Sequence, residues 1–233
     1  MIEVRPFNGL GRFDNEWLNA RHHFSFGHYM DPSRMGWGAL RVWNDDQIAP
    51  GTGFDPHGHR DMEIVTYVRE GAITHHDRLG NVGRTEAGDV QVMSAGTGIV
   101  HAEYNREADP TRIFQIWILP ARAQVKPYWE QRQFPKGASA GRLVALASGR
   151  SGDAGALPIH QDAAVLGASL AAGQQVEHQM PAGRMAYLVA AKGAILVNGI
   201  PAAARDGVAI KDLEKVVVKA SEDAEIVLVD VPA

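Results

Sequence analysis

Three histidines and a glutamate stand in two short strings that could bind a metal ion. Pro56-His57-Gly58-His59 supplies two imidazoles, and His101-Ala102-Glu103 supplies a third imidazole and a carboxylate. Alternate residues of a β-strand point to the same face, so each string can direct two side chains at one point. Two neighbouring strands would then form a site with four ligands and no sulfur.

This donor set suits several divalent transition metals, namely Fe(II), Mn(II), Co(II), Ni(II), Cu(II) and Zn(II). The affinity order favours copper or zinc, although the availability of metals in the cell often overrides that order. A five- or six-coordinate ion with four protein ligands keeps open positions, as catalysis requires. Because the chain contains no cysteine, thiolate nucleophiles, zinc ribbons and iron–sulfur clusters are excluded.

Length and composition indicate an ordinary globular protein. The chain has 233 residues, of which 45% are hydrophobic and 21% charged. A net charge of −4 provides no basic surface, so we expect neither direct nucleic-acid binding nor membrane attachment. The N-terminus has no apolar signal core, and no segment approaches the roughly 20 apolar residues that span a bilayer. We therefore expect a cytoplasmic protein.

The elements that must position these ligands are predicted to be short β-strands. Apolar runs are separated by Gly, Asn, Asp and Pro, a pattern typical of all-β sandwiches and barrels. Asn198-Gly199 between two such runs predicts a tight hairpin, since its turn needs positive φ at both central residues. Helical patterns are few. The strand-like runs include 39–42, 63–68, 90–93, 113–119, 142–146, 186–190, 194–197, 216–219 and 225–231.

A faint internal repeat predicts two copies of one unit. Residues 68–73 (VREGAI) resemble 190–195 (AAKGAI), and 87–92 (AGDVQV) resemble 205–210 (RDGVAI), with nearly equal offsets. The second copy has Gln179 and Pro181 where the first has the paired histidines, and no histidine follows His178. We predict a metal-binding domain over residues 1–135 and a second domain over 136–233 without ligands.

Longer motifs resemble the pirin family of the cupin superfamily. The spacing of Gly51, Glu63, Gly88 and Asn105 around the histidines resembles the two cupin motifs, whose ligands project into a small β-barrel. The resemblance to pirins is dense over residues 22–119. It is carried by Phe24-Ser25-Phe26-Gly27, Asp31-Pro32, Met35-Gly36-Trp37-Gly38, Leu40-Arg41-Val42-Trp43-Asn44-Asp45-Asp46, Met62–Val68 (MEIVTYV) and Gln91–His101 (QVMSAGTGIVH).

The resemblance implies an all-β fold of two cupin-type (jelly-roll) barrels packed face to face, with one metal ion in the first. His57, His59 and His101 would be ligands. The general cupin pattern places the fourth ligand at Glu63, whereas pirins use the position of Glu103, which we favour. Glu63 would then lie behind the ligands or be buried as a polar group. The family also favours Fe(II) over the other metals.

For function, the resemblance implies a quercetin 2,3-dioxygenase, which opens a flavonol with O2 and releases carbon monoxide. The metal would lower the pKa of a flavonol hydroxyl, and Glu103 would accept the proton as general base. Eukaryotic pirins imply an alternative, an iron-binding, redox-sensing regulator that acts through a protein partner in transcription. A metal enzyme with another substrate is a third possibility.

Other polar residues have weaker interpretations. Gln115 and Trp117 share a strand face, and an inward Gln115 would need a partner or ligand. His23 is expected to pack against the barrel or to form a hydrogen bond at its rim, with a role near the pocket as the alternative. His75 and its neighbour His76 precede a turn and suit a solvated hairpin end. We expect a monomer, because duplicated barrels can bury each other's faces.

Overall fold

The chain folds into β-strands joined by tight turns. The structure is a computed structural model that describes residues 1–134 and 141–233, so the predicted domain boundary at 135/136 lies outside the described residues. The first half contains β1 (Ile2–Arg5), β2 (Gly11–Asp14), β3 (Leu18–His22), β4 (Leu40–Ile48), β5 (Gly53–His59), β6 (Glu63–Glu70), β7 (Ala72–Asp77), β8 (Val82–Glu86), β9 (Val90–Ser94), β10 (Ile99–Tyr104), β11 (Thr111–Ile118) and β12 (Tyr128–Arg132).

The second half repeats this arrangement. Asn198 and Gly199 have φ values of 46° and 83°, as the predicted hairpin turn between two of its strands requires. Its strands are β13 (Val144–Ser148), β14 (Leu157–Pro158), β15 (Ala164–Leu170), β16 (Gln175–Gln179), β17 (Arg184–Lys192), β18 (Ile195–Val197), β19 (Ile200–Ala202), β20 (Gly207–Lys211), β21 (Lys215–Ala220) and β22 (Ala224–Pro232).

Each half contributes one seven-stranded and one four-stranded sheet. The first barrel has the orders β12-β9-β6-β11-β4-β3-β2 and β5-β10-β7-β8, and the second has β1-β20-β17-β22-β15-β13-β14 and β16-β21-β18-β19. The two sets correspond strand for strand, so the prediction of two cupin-type barrels is confirmed. The edge strand of the second barrel comes from the start of the sequence, since β1 pairs with β20, whereas β12 pairs with β9 of the first barrel. Residues 2–5 thus belong to the second sheet, and the division 1–135/136–233 stays a prediction.

The two large sheets pack face to face over a shared apolar core. Trp43 and Phe114 from the first barrel and Tyr187 from the second are fully buried there, with ring centroids of Trp43 lying 5.4 and 5.7 Å from those of the other two. A buried carboxylate, Asp45, is paired with Arg69 of its own barrel and with Arg205 of the other. Apolar burial and this ion pair both join the barrels.

The interiors of the two barrels differ in polarity. The second is filled by aliphatic side chains, and Val216 and Val218 on β21 occupy the strand that corresponds to β10 of the first barrel. The first barrel instead places polar side chains of β10 inside it.

The helical segments in the described part of the chain are the 3-10 turns Phe7–Gly9 and Pro32–Arg34. None of its helices is long or apolar enough to cross a membrane.

Candidate metal centre

Three histidines converge at one end of the first barrel. β5 and β10 are antiparallel neighbours, and His57 lies directly opposite His101 in their register. The ring centroid of His57 is 4.5 Å from that of His101 and 4.8 Å from that of His59. One ring nitrogen from each histidine lies within 4.8 Å of the others, a spacing from which all three could hold one ion.

A bulge in β5 creates this register. The pairing shifts between His101 and Glu103, because Glu103 is opposite Phe54 while His101 is opposite His57. Pro56 falls in this bulge, where its missing N–H costs no ladder hydrogen bond. The Asp55 carbonyl turns towards the His57 ring and lies 2.7 Å from its Nδ1. Nδ1 therefore carries the proton, and Nε2 of His57 keeps a lone pair for a ligand.

A relay of two residues fixes the His101 ring in the same way. Nδ1 of His101 lies 3.4 Å from Nδ1 of His75, whose Nε2 lies 2.9 Å from a carboxylate oxygen of Asp77. Because the carboxylate only accepts, His75 donates from Nε2 and accepts the His101 Nδ1–H. Nε2 of His101 is left with its lone pair, buried and without a partner among the described residues. A metal ion would satisfy this atom, so the residues fit the group that the sequence implies.

Burial keeps the imidazoles of His59 and His101 neutral. Burial lowers the pKa of His59 to about 4, with a further contribution from the charge of His57. Burial also lowers the pKa of His101 to about 2, together with the charges of His57, His59 and His75. Because a protonated imidazole cannot coordinate a metal, these shifts leave the lone pairs of His59 and His101 available at neutral pH.

Glu103 lies behind His101 in a cluster of amides. The residue is 1% exposed, and its carboxyl accepts hydrogen bonds from Gln91 Nε2 and, at 2.9 Å, from Gln115 Nε2. Burial raises the pKa of Glu103 to about 7, although these hydrogen bonds act in the opposite direction. Its carboxylate lies within 4.8 Å of ring nitrogens of His75 and His101. Glu103 as the fourth ligand stays a prediction.

A cavity of about 550 Å³ opens beside His57 and His59. Its walls are largely aromatic: Trp117 packs edge-on against His59 with a centroid distance of 5.0 Å, and Phe26 packs against Trp117 at 5.4 Å. Gln115 also lines the cavity. Its Oε1 accepts the Trp117 indole N–H at 3.2 Å, which directs Nε2 towards Glu103. The inward Gln115 therefore has the partners that its position requires.

Comparison with known proteins identifies the family. The family model described as Pirin matches residues 3–118, and the model of a quercetinase C-terminal cupin domain matches residues 145–231. A pirin-like protein of Caulobacter vibrioides is 60% identical over 230 residues, which cover 99% of each chain. The chain belongs to the pirin family. This confirms the resemblance seen in the sequence.

Two Escherichia coli relatives bear on the chemistry of pirins. The protein named quercetin 2,3-dioxygenase is 42% identical over 235 residues, covering 100% of this chain and 99% of the relative. The crystal structure of the bacterial pirin YhhW in complex with nickel(II) is 40% identical, with a TM-score of 0.93 and coverage of 100% and 99%. The family thus includes proteins named for flavonol oxidation and a chain that binds a divalent metal ion.

In this pirin, Glu63 faces away from the metal centre. Its carboxyl accepts a hydrogen bond from Ser94 at 2.9 Å and lies 3.4 Å from Nδ1 of His160 in the second barrel. The chain turns between β5 and β6, with Asp61 at a φ of 46°, so the alternation that includes His59 does not continue to Glu63. The structure therefore places Glu63 between the barrels, as a buried polar group.

His23 packs between the barrels, as its favoured interpretation stated, whereas the interpretation of His75 was wrong. His23 is fully buried between the barrels, 3.0 Å from the Tyr187 hydroxyl, whereas its neighbour His22 lines the cavity. His22 ends β3, and successive side chains point to opposite faces. His75 is not part of a solvated hairpin end, because it is fully buried and stacks on Trp129 with centroids 4.6 Å apart. The sequence did indicate one feature of this site: His75 and the buried Asp77 are two residues apart and therefore share a strand face.

Proposed function

We propose that this pirin is a metal-dependent dioxygenase that opens a flavonol such as quercetin with O2 and releases carbon monoxide. The observation that supports this most is the unpartnered, buried Nε2 of His101, which lies with His57 and His59 beside a mostly aromatic cavity. The names of its bacterial relatives agree with this activity. A cavity of this size and lining suits a planar aromatic molecule.

His57, His59, His101 and Glu103 would hold one divalent transition metal ion. Fe(II) is our first candidate, and the nickel(II) complex of the Escherichia coli pirin makes Ni(II) the second. When bound, the ion supplies Lewis acidity that lowers the pKa of a substrate hydroxyl. Three neutral imidazoles and one carboxylate leave a net positive charge at the site, which favours an anionic substrate oxygen.

Glu103 would accept the proton of that hydroxyl. Burial raises the pKa of Glu103 to about 7 in the metal-free protein, which favours its protonated form, whereas a bound cation would act in the opposite direction. The amide groups of Gln91 and Gln115 hold its carboxyl in place in both protonation states. Because burial favours the neutral carboxyl, the proton is accepted without creating a buried charge.

The cavity walls would orient the substrate and exclude water. Trp117 and Phe26 form one wall, and Trp17 and Phe54 form another pair with centroids 5.2 Å apart. Aromatic faces and edges of this kind pack well against a planar ring system. In a water-poor cavity the deprotonated flavonol would keep its charge without protonation by solvent, and its electron-rich ring would be the part that reacts with O2.

Carbon monoxide release tests the proposal. Protein reconstituted separately with Fe(II), Ni(II), Cu(II) and Mn(II) is given quercetin under air, with His101→Ala as the inactive variant. His76→Ala is the matched control, because His76 is exposed on the neighbouring strand β7. We expect carbon monoxide from one metal form and from the control, but none from His101→Ala. No carbon monoxide from any form with confirmed metal occupancy would contradict the proposal and favour a metal-binding regulator.

The role of Glu103 needs a separate variant. Glu103→Gln keeps the shape of the side chain and its hydrogen bonds to one neighbouring amide, but removes the base. We expect a loss of turnover of roughly 100-fold or more in a variant that still holds metal. An unchanged rate per bound ion would refute Glu103 as the base while leaving the metal centre intact.

A further inference from the structure

A buried acid in the cavity has no hydrogen-bond partner among the described residues. Asp46 on β4 is 2% exposed and lines the same cavity as His57 and His59. Its Oδ1 is buried and makes no hydrogen bond with any group in the described part of the chain. The adjacent Asp45 points to the other side of the sheet and is satisfied by arginines. Since unpartnered buried carboxyls destabilise a fold, Asp46 calls for an explanation.

Strand register relates Asp46 to the metal centre. Asn44, two residues earlier on β4, lies opposite Gln115, and Gln115 contacts Glu103. Asp46 itself lies opposite Ile113 and Ala20. Because residues two apart on a strand share a face and are separated by about 7 Å, Asp46 is one step further along the cavity floor than Asn44. A ligand anchored at the metal end could therefore reach it.

The chemistry of the Asp46 site favours a hydroxyl group over a cation. Burial raises the pKa of Asp46 well above its usual value, and the charges of Asp45 and Glu103 raise it further. Burial therefore favours the neutral carboxylic acid, a form that both donates and accepts a hydrogen bond. A phenolic hydroxyl also does both, so the two can form a reciprocal pair. Leu18 and Phe54, which also line the cavity, would cover the adjoining ring.

We propose that Asp46 is a specificity residue that binds a phenolic hydroxyl of the substrate, at the part of the ring system remote from the metal. This inference rests on the proposed function, because that function identifies the substrate as a flavonol. It adds that this pirin prefers polyhydroxylated flavonols over a flavonol whose only hydroxyl is the one at the metal. A site built to bond a hydroxyl discriminates against ligands that lack it, because its own polar group is then left unpaired.

The test compares two ligands in three proteins. Quercetin carries several ring hydroxyls, whereas 3-hydroxyflavone has only the hydroxyl proposed to bind the metal. Affinities are measured without O2 by optical titration of the Ni(II)-loaded wild type, Asp46→Leu and Asp46→Asn. We expect Asp46→Leu to weaken quercetin binding by roughly tenfold and to leave 3-hydroxyflavone within about twofold. Asp46→Asn keeps a donor and an acceptor, so it should retain most of the preference.

Thermal unfolding separates this role from a structural one. If Asp46 serves the ligand, replacing an unpartnered buried carboxyl with Leu should leave the melting temperature of the ligand-free protein unchanged or higher. A large drop for both variants would show that Asp46 is structural and overturn the proposal. An equal loss of affinity for both ligands, or no loss for either, would also overturn it.

The outcomes for the wild type keep the two proposals distinguishable. If the wild type binds both ligands but releases no carbon monoxide in air, the dioxygenase proposal fails, and Asp46 is still judged by the affinities. If the wild type binds neither ligand, the flavonol class is wrong and the role of Asp46 fails with it. If it turns over both ligands and Asp46→Leu weakens the binding of both equally or of neither, only the Asp46 proposal fails.

Discussion

Asp77→Asn should weaken metal binding although Asp77 does not face the metal. One oxygen of Asp77 accepts the backbone N–H groups of Leu79 and Asn81 at 2.9 and 3.1 Å, and an asparagine can keep both bonds. The other oxygen accepts the His75 Nε2–H at 2.9 Å, and there the variant presents an amide that only donates. His75 must then carry its proton on Nδ1 and donate it to His101. His101 is driven into the tautomer with a protonated Nε2, the proposed ligand atom.

The size of the effect follows from this reversal. Partners that orient a ligating histidine typically contribute 10–100-fold in metal affinity, or about 1.4–2.7 kcal/mol. The relay is buried at each position, with His75 at 0%, Asp77 at 3% and His101 at 3% exposure, so water cannot replace the lost acceptor. We therefore expect the dissociation constant for Ni(II) to rise by roughly 10–100-fold in Asp77→Asn.

Competition with a chelator measures this constant directly. Wild type, Asp77→Asn and the exposed control His76→Ala are titrated with buffered Ni(II), and the melting temperature of each metal-free protein is recorded. The control should bind as the wild type does. The metal-free melting temperature of Asp77→Asn should change little because the turn keeps its two backbone N–H bonds to Oδ1 and loses only the bond from the Asn81 side chain to Oδ2. An affinity of Asp77→Asn within twofold of the wild type would refute the relay.

Three further predictions concern proton linkage and stability. If Glu103 is a metal ligand, metal binding below pH 7 must displace its proton, so affinity should fall by up to tenfold per pH unit below 7 and level off above it. Glu103→Gln should lack this component in chelator competition. Asp45→Ala leaves Arg69 and Arg205 without their carboxylate, and urea titration should show a loss of about 3–5 kcal/mol. Trp43→Ala opens the core between the barrels and should cost about 3–5 kcal/mol in the same assay. Losses under 1 kcal/mol would show that these contacts do not hold the barrels together.

The spacing of residues along the chain was sufficient to predict that His57, His59 and His101 lie close together. His57 and His59 are two residues apart on one strand, and that strand pairs directly with the one that carries His101. The repeat of residues 68–73 at 190–195 predicted the second barrel, because both segments end equivalent central strands, β6 and β17. The first inference depends on the two-residue period of a strand and the second on the similarity of two segments. Both can be read from the sequence without knowledge of tertiary contacts.

Contacts that depend on strand direction or on the other barrel could not be predicted in this way. One residue with a positive φ, Asp61, reverses the expected face of Glu63, and His160 reaches Glu63 from a distant part of the chain. His75 and Asp46 looked ordinary in sequence, because their burial is set by strands that are far away in the chain. Their polar roles became visible only once each hydrogen-bond partner, or its absence, was known.

The number of ions bound per chain is the sharpest test of the proposed metal centre. Metal-free protein is titrated with Ni(II), and the bound ion is counted after gel filtration for wild type and for a variant with both His57→Ala and His101→Ala. We predict one ion per chain in the wild type and none in the variant, since the clusters of potential metal ligands among the described residues lie in the first barrel. Retention of the ion by the variant would contradict it.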